Sequence, residues 1–348
     1  MTDTNVQDWV SARDEQIAQI AGQLVRGRVC FLFGAGMSQP SKGLSGSELA
    51  FELLRRGLFK KYRLPLDPDF ERQLREVASR FPLEAIAEGV MHRLPFQESE
   101  LEEILKTVVF RDADQQKPAR HVGHDLLAAI VARFGPRTLF TTNWDLLLEE
   151  ALGESGITIT ESNLRGIDRV YDDGNTAVIH LHGTFADNPL IREEDLMDPD
   201  RPLFQLFTSE LMTKAFVFVG YSLNDFNIRA LYSKARNILA RRSQKLKKKT
   251  YIVSPPRDDI DRRVSSEIWA HRDAEYLPIG AEEFFQLLYS EAATNYLDDM
   301  KQQLKERLNI RLEDLQVKID EIVRVFPDFQ NPEQVVRYLD AITKGRRQ

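Results

Sequence analysis

Only one cysteine, Cys30, occurs in the 348 residues, and it sits inside the apolar run RVCFLF. A disulfide framework and a cysteine-ligated zinc site are both excluded, and the thiol reads as a buried strand residue. Positive charge is also short, with 47 Lys and Arg against 54 Asp and Glu and a net charge of -7 at pH 7. No global field draws such a chain to nucleic acid or to an anionic membrane, so direct nucleic-acid binding would need a local patch. The one basic run of note, ARRSQKLKKK over 240–249, reads as a solvated helix end before a strand, with a nucleic-acid patch as the alternative. Long apolar runs are missing too. The opening MTDTNVQDWVSARDEQ is polar and acidic, unlike a secretory leader, and no later stretch approaches the length of a membrane span. These absences predict a soluble, cytoplasmic protein with no membrane partner.

Hydrophobic residues make up 42% of the chain, enough for a substantial core. Its length predicts one large domain with an insert, or two domains. Short apolar runs at VCFLF, RTLFTTN (137–143), AVIHLHG (177–183), AFVFVG (215–220) and KTYIVS (249–254) are apolar on both faces and are separated mostly by helix-like segments. That is the pattern of a parallel sheet covered on both sides, so the expected class is α/β. Residues 46–120 show helical spacing throughout and no strand pattern, which predicts a helical insert after the first strand. From Glu291 to Phe326, Leu297, Met300, Leu304, Leu308, Leu312, Leu315, Ile319 and Ile322 recur every three or four residues. They predict a helical tail that packs on the chain's own core or on another subunit or partner.

Four of the strands end in small polar clusters, and ligands of open parallel sheets bind beyond the carboxyl ends of strands. Gly34-Ala35-Gly36-Met37-Ser38 would let backbone N–H groups approach a phosphate, helped by the start of a following helix. The usual dinucleotide fingerprint wants a third glycine where Gln39 stands and a second strand with an acid about twenty residues on. Neither is present, which argues against nicotinamide-dependent hydride transfer. TTNWD (141–145) closes a strand and opens the helix LLLEEAL, and capping explains Thr142, Asn143 and Asp145 only in part. In HLHGTF, His180 and His182 are placed two apart on a strand, with His182 the better site candidate and a structural role the alternative. GYSLNDFNIR (220–229) offers Gly220, with Ser222 and Asp225 reading equally as a capping pair or as part of a second phosphate or ribose site. His121 and His124 are read as packing or capping, having no third ligand.

These four clusters, in this order, resemble the sirtuin family, including the sirtuin-like domains of bacterial anti-phage defence proteins. The resemblance spans roughly residues 28–290 and implies a Rossmann-like domain formed by 1–45 and 121–290, a helical module at 46–120 and a helical tail at 291–348. It implies NAD as substrate. Gly34, Ala35, Gly36 and Ser38 match the turn that meets the pyrophosphate, and KGLSGSE resembles the segment over the cofactor, with Ser45 where proline is usual. Asn143 matches the residue that holds the catalytic water or ribose, Thr142 stands where glutamine is usual, and Asp145 would line the nicotinamide pocket. His182, Gly183, Thr184 and Phe185 match the element of the catalytic histidine, while Gly220 and Ser222 match an adenosine-side contact that extends through Asp225, Ile228 and Arg229. Protein-deacylating members carry four zinc-binding cysteines shortly after that histidine. Here the region is ADNPLIREEDLMDPDRP, so no metal is expected.

What remains is machinery for cleaving NAD. The expected activity is hydrolysis to nicotinamide and ADP-ribose, or cyclisation, in an NAD-depleting defence effector. Such an effector would be a homo-oligomer or would be switched on by a partner such as a translocase-type ATPase. The alternatives are a zinc-free deacylase or ADP-ribosyltransferase, and a non-catalytic NAD or ADP-ribose sensor.

Overall fold

The computed structural model describes residues 3–38, 46–63, 67–93, 120–185, 187, 189–191, 193–198, 200–221, 226–240 and 249–308, with 3–8, 93, 193, 226, 240 and 297–308 as backbone only. Seven strands form one sheet: β1 (Val29–Phe33), β2 (Thr138–Thr141), β3 (Gly156–Ile159), β4 (Thr176–His180), β5 (Ala215–Val219), β6 (Thr250–Val253) and β7 (Ala274–Leu277). Their order is β3-β4-β2-β1-β5-β6-β7, and every pairing is parallel. The connections carry helices α1 (Asp3–Val25), α2 (Ala35–Ser38), α3 (Gly46–Tyr62), α4 (Pro68–Arg80), α5 (Leu83–Arg93), α6 (Val122–Phe134), α7 (Leu147–Leu152), α8 (Ile167–Asp172), α9 (Glu193–Leu196), α10 (Pro202–Thr213), α11 (Phe226–Ala240), α12 (Asp259–His271) and α13 (Ala281–Leu308). The expected α/β class, a Rossmann-like parallel sheet with helices on both faces, is the one observed.

The five inner strands are buried along their whole length. Side chains alternate across a strand, so β1 splits its residues between two cores. Val29, Phe31 and Phe33 face a layer built with Ile20, Leu24, Leu127, Ile130, Phe284 and Phe285 from α1, α6 and α13. Cys30 and Leu32 face the opposite layer, where Phe204, Phe207, Ile228 and Trp269 from α10, α11 and α12 close over Phe140, Phe216 and Phe218. Burial pushes the Cys30 thiol pKa far up, so it stays a protonated core residue.

Within the span expected to be helical, α3, α4 and α5 pack through Leu49, Phe51, Leu53, Leu74, Ala78, Ala87 and Val90 into a third core, and Ile191 from the loop after β4 joins it. The half-buried Trp144 and Phe185, from two of the strand-end loops, pack against this core, which seats the helical module beside the carboxyl edge of the sheet. Residues 94–119 of that span, most of the basic run and the tail beyond 308 lie outside the described residues. α13 starts at Ala281 and passes continuously through Glu291.

Two expectations change. The strand of the histidine pair stops at His180, so His182 stands in the turn beyond it and the two do not share a strand face. The helix after the glycine turn is only four residues long, too short for a helix dipole to contribute much. No helix among the described residues is long and apolar enough to cross a membrane.

Candidate functional site

The chain leaves β1 toward β2, β4 and β3 on one side and then returns to β5 on the other. The reversal therefore lies between β1 and β5, where open α/β sheets bind ligands beyond their carboxyl ends. Both glycine turns sit there, and they interlock. The N–H of Gly36 donates to the carbonyl of Gly220 at 2.8 Å, and that of Gly34 to Val219 at 3.1 Å. A Cβ on Gly36 would stand 2.7 Å from the Gly220 oxygen, one on Gly34 2.5 Å from the Tyr221 ring, and one on Gly220 2.4 Å from the Met37 nitrogen. Gly220 also needs φ +63, a conformation L side chains rarely adopt. These glycines are fixed by a backbone-to-backbone contact between two loops. The two N–H groups expected to approach a phosphate, those of Gly34 and Gly36, are spent inside the protein, and it is Ala35 whose surface is exposed.

Beyond β2, a chain of polar contacts ties that loop to the β1 turn. The amide of Asn143 donates from Nδ2 to the Gly34 carbonyl at 3.1 Å and to Ser38 Oγ at 2.9 Å. Ser38 passes its own proton to Asp145 Oδ2 at 2.8 Å, and Asp145 Oδ1 accepts from the N–H of Leu147 at the start of α7 at 3.1 Å. Burial raises the Asp145 pKa, opposed by those two hydrogen bonds. With both amide protons committed, the Asn143 side chain has one orientation, and Oδ1 is its remaining polar atom. That atom can accept from a water or a ribose hydroxyl. Asn143, Ser38, Asp145 and Gly34, singled out from two separate features of the sequence, thus form one hydrogen-bonded unit. Thr142 contributes its backbone N–H to the Phe33 carbonyl at 3.1 Å.

His182 is buried at 6% exposure, and its main-chain oxygen is gripped twice, by Trp144 Nε1 at 2.9 Å and by the N–H of Leu190 at 2.7 Å. Gly183, with φ +70, turns the chain back so that its N–H reaches the His180 carbonyl at 3.2 Å. Phe185 N–H bonds the Trp144 carbonyl at 3.2 Å, and the two rings meet edge-on at 5.8 Å. The loops carrying Asn143 and His182 are therefore stitched together through Trp144, a residue the sequence offered only as the spacer in TTNWD. Ser222 and Asp225 lie outside the described residues.

His121 and His124 also serve the turn. His121 caps α6, its Nδ1 accepting from Gly123 N–H at 3.0 Å, which leaves Nε2–H to donate to the Met37 carbonyl at 2.7 Å. His124 is fully buried, and its Nε2 has no hydrogen-bond partner among the described residues. Burial pushes its pKa down to about 4, helped by His121 and Arg120. The folded protein therefore refuses a proton that the unfolded chain accepts below about pH 6.5. Stability present at pH 7 is lost as pH falls from about 6.5 to about 4, by up to about 3 kcal/mol. The expected result is a steep acid limb in melting temperature that flattens in His124→Gln, measured by calorimetry from pH 4 to 7.5. Parallel profiles for the two proteins would refute it.

Away from this edge, Glu88, His92 and Glu194 bring ligand atoms within 4.8 Å of one another across α5 and α9 among the described residues. His92 and Glu194 are exposed, and surface groups of this kind are common without an ion.

The fold is that of a Rossmann-like α/β protein, with the polar strand-end loops gathered at the sheet reversal. Residues 137–277, from β2 to the end of β7, match the SIR2-like domain family. The matched span holds Asn143, His182 and Gly220 and begins after the Gly34 turn. A solved structure reported under "Structural Basis for the Mechanism and Regulation of Sir2 Enzymes" aligns over 80% of this chain and 97% of its own, at 15% identity and a TM-score of 0.41. Comparison with curated proteins returns no match.

Proposed function

We propose that the chain is an NAD+ glycohydrolase, releasing nicotinamide and ADP-ribose, and that it acts as an NAD-depleting effector in bacterial anti-phage defence. The observation that carries the catalytic reading is the Asn143 amide, clamped by Gly34 and Ser38 with its oxygen left to hold a nucleophile. The SIR2-like match over 137–277 supports NAD as the substrate.

Nicotinamide leaves a cationic ring as a neutral base, so its departure needs no strong acid. It needs a positioned nucleophile beside an oxocarbenium-like ribose. Water held by Asn143 Oδ1 attacks the ribose C1′, the C–N glycosidic bond breaks with its electron pair going to nicotinamide, and the water proton passes to the His182 imidazole. A neutral imidazole has one unprotonated ring nitrogen that can take that proton. On this reading Ala35 and the turn around it meet the pyrophosphate, with Gly34, Gly36 and Gly220 shaping the crevice and Gly183 turning the chain beside His182. No metal takes part in this scheme. Because uncontrolled NAD loss kills the host, activity is held until assembly of several copies or a partner such as a translocase-type ATPase engages the helical module or α13.

The test is chromatography of NAD incubations, with and without candidate activators, for the wild type, Asn143→Ala and His182→Ala. Both variants are expected to lose nicotinamide release by at least about 100-fold. Wild-type rates in both would remove the site assignment. Tight calorimetric NAD binding with no turnover would convert the protein to a sensor, and NAD-dependent loss of acetyl from a lysine peptide to a deacylase. A monomer with full activity on its own would end the assembly idea.

A further inference from the structure

His180, expected to be structural, is fully buried directly beneath the site loops. Its Nδ1 lies 2.8 Å from the main-chain oxygen of Asn143, and its Nε2 lies 2.7 Å from Oε1 of Glu149 on α7. A carbonyl can only accept, so Nδ1 carries a proton. The second contact shares a proton between imidazole and carboxyl. Glu149 Oε1 also accepts from Thr158 Oγ1 on β3 at 2.9 Å, while Oε2 is buried with no hydrogen-bond partner among the described residues. Burying an imidazole and a carboxyl together is costly, and an apolar filling of the same space would be cheaper.

That cost falls at one consequential place. The carbonyl that His180 holds belongs to the peptide joining Asn143 to Trp144. On one side of that peptide is the amide clamped to Gly34 and Ser38, and on the other the indole that grips the His182 main chain at 2.9 Å. Fixing this single peptide plane sets Asn143 and His182 relative to each other. We infer that Glu149 and His180 are a positioning pair for the cleavage step, braced from β3 by Thr158, which orients the Asn143–Trp144 peptide. The inference rests on the glycohydrolase reading of the site.

An asparagine at 180 places its amide N–H where Nδ1–H stands, so it can hold the carbonyl while losing the Glu149 contact. A leucine can hold neither. Nicotinamide release by the full chain, with its activator where one is needed, is therefore compared for wild type, His180→Leu, His180→Asn and Glu149→Gln, alongside circular dichroism melts. Misplacement of reacting groups by about 1 Å costs on the order of 100-fold. His180→Leu is expected to lose about that much in kcat with KM changed by less than about threefold, and His180→Asn to regain about tenfold. Glu149→Gln, whose amide can still donate to Nε2, is the conservative variant that keeps the contact, and a loss from it as large as that of His180→Leu would overturn the pairing. An unchanged kcat in His180→Leu, or an asparagine variant no better than leucine, would overturn the pairing. The imidazole 15N spectrum of the wild type gives a readout independent of turnover and of whether the leucine variant folds. A protonated, hydrogen-bonded Nδ1 on His180 is expected, and an unprotonated Nδ1 overturns the pairing. Absence of NAD turnover in the wild type would defeat the glycohydrolase reading alone.

Discussion

Gly220→Ala is expected to lower the melting temperature by roughly 10 °C, far more than an alanine substitution at a surface turn. Two costs combine. The φ of +63 is unfavourable for any residue with a Cβ, at about 1–3 kcal/mol. The added carbon would lie 2.4 Å from the Met37 nitrogen, a backbone atom that cannot swing aside, for about another 1–3 kcal/mol. Gly27 supplies the control. It has nearly the same φ, +65, but no heavy atom within 4 Å of an added Cβ, so Gly27→Ala should cost only the conformational part. Calorimetry of the two variants separates the terms. Equal shifts would mean that the contact between the β1 and β5 turns contributes nothing.

The second large effect is expected from Asn143→Asp, which changes one atom of the side chain. An oxygen would replace Nδ2 and face the Gly34 carbonyl at about the present 3.1 Å, two acceptors with no proton between them. It would also compete with Asp145 for the single Ser38 proton, in a spot where burial already raises the Asp145 pKa. Loss of a buried hydrogen-bonded partner to a charge costs about 3–5 kcal/mol. Nicotinamide release should fall by about 1000-fold, because the loop that carries the nucleophile-holding group is pushed off the β1 turn. Full activity in this variant would show that the clamp is not needed, and a melting curve unchanged from wild type would show that it stores no stability.

The inner strands were legible because they are buried on both faces, which writes an unbroken apolar run into the sequence. The edge strands were not. β3 and β7 are four residues each and partly exposed, so GITI and AEYL lack that run. The expected strand ends overshot for a related reason. Thr142, Asn143, His182 and Gly183 continue the residue types of a strand while serving a loop. The polar members of the site were readable by type and by their place after strands. Their wiring was not, since Ser38, Asn143 and Asp145 meet only once β1 and β2 are adjacent. Glu149 was hidden for another reason. In LLLEEAL it looks like one of two ordinary helix-surface acids, and only the fold turns it inward to His180 while Glu150 stays exposed.

The central position of β1 also governs when the protein can exist at all. Phe31 pairs with Leu139, and Val29 with Ala215, so the first strand made is flanked by partners made 108 and 186 residues later. At roughly 5–20 residues per second, the β5 turn follows β1 out of the ribosome by about 10–40 seconds, and pairing over such separations is intrinsically slow. Through that interval the Gly34 turn lacks Gly220, and until β2 is made it lacks the Asn143 amide as well. A nascent or truncated chain ending before β5 therefore carries the Gly34 turn without the Gly220 loop it locks against. On the proposed activity, such a chain is harmless to the cell that is making it, and the capacity to consume NAD appears only with the finished sheet.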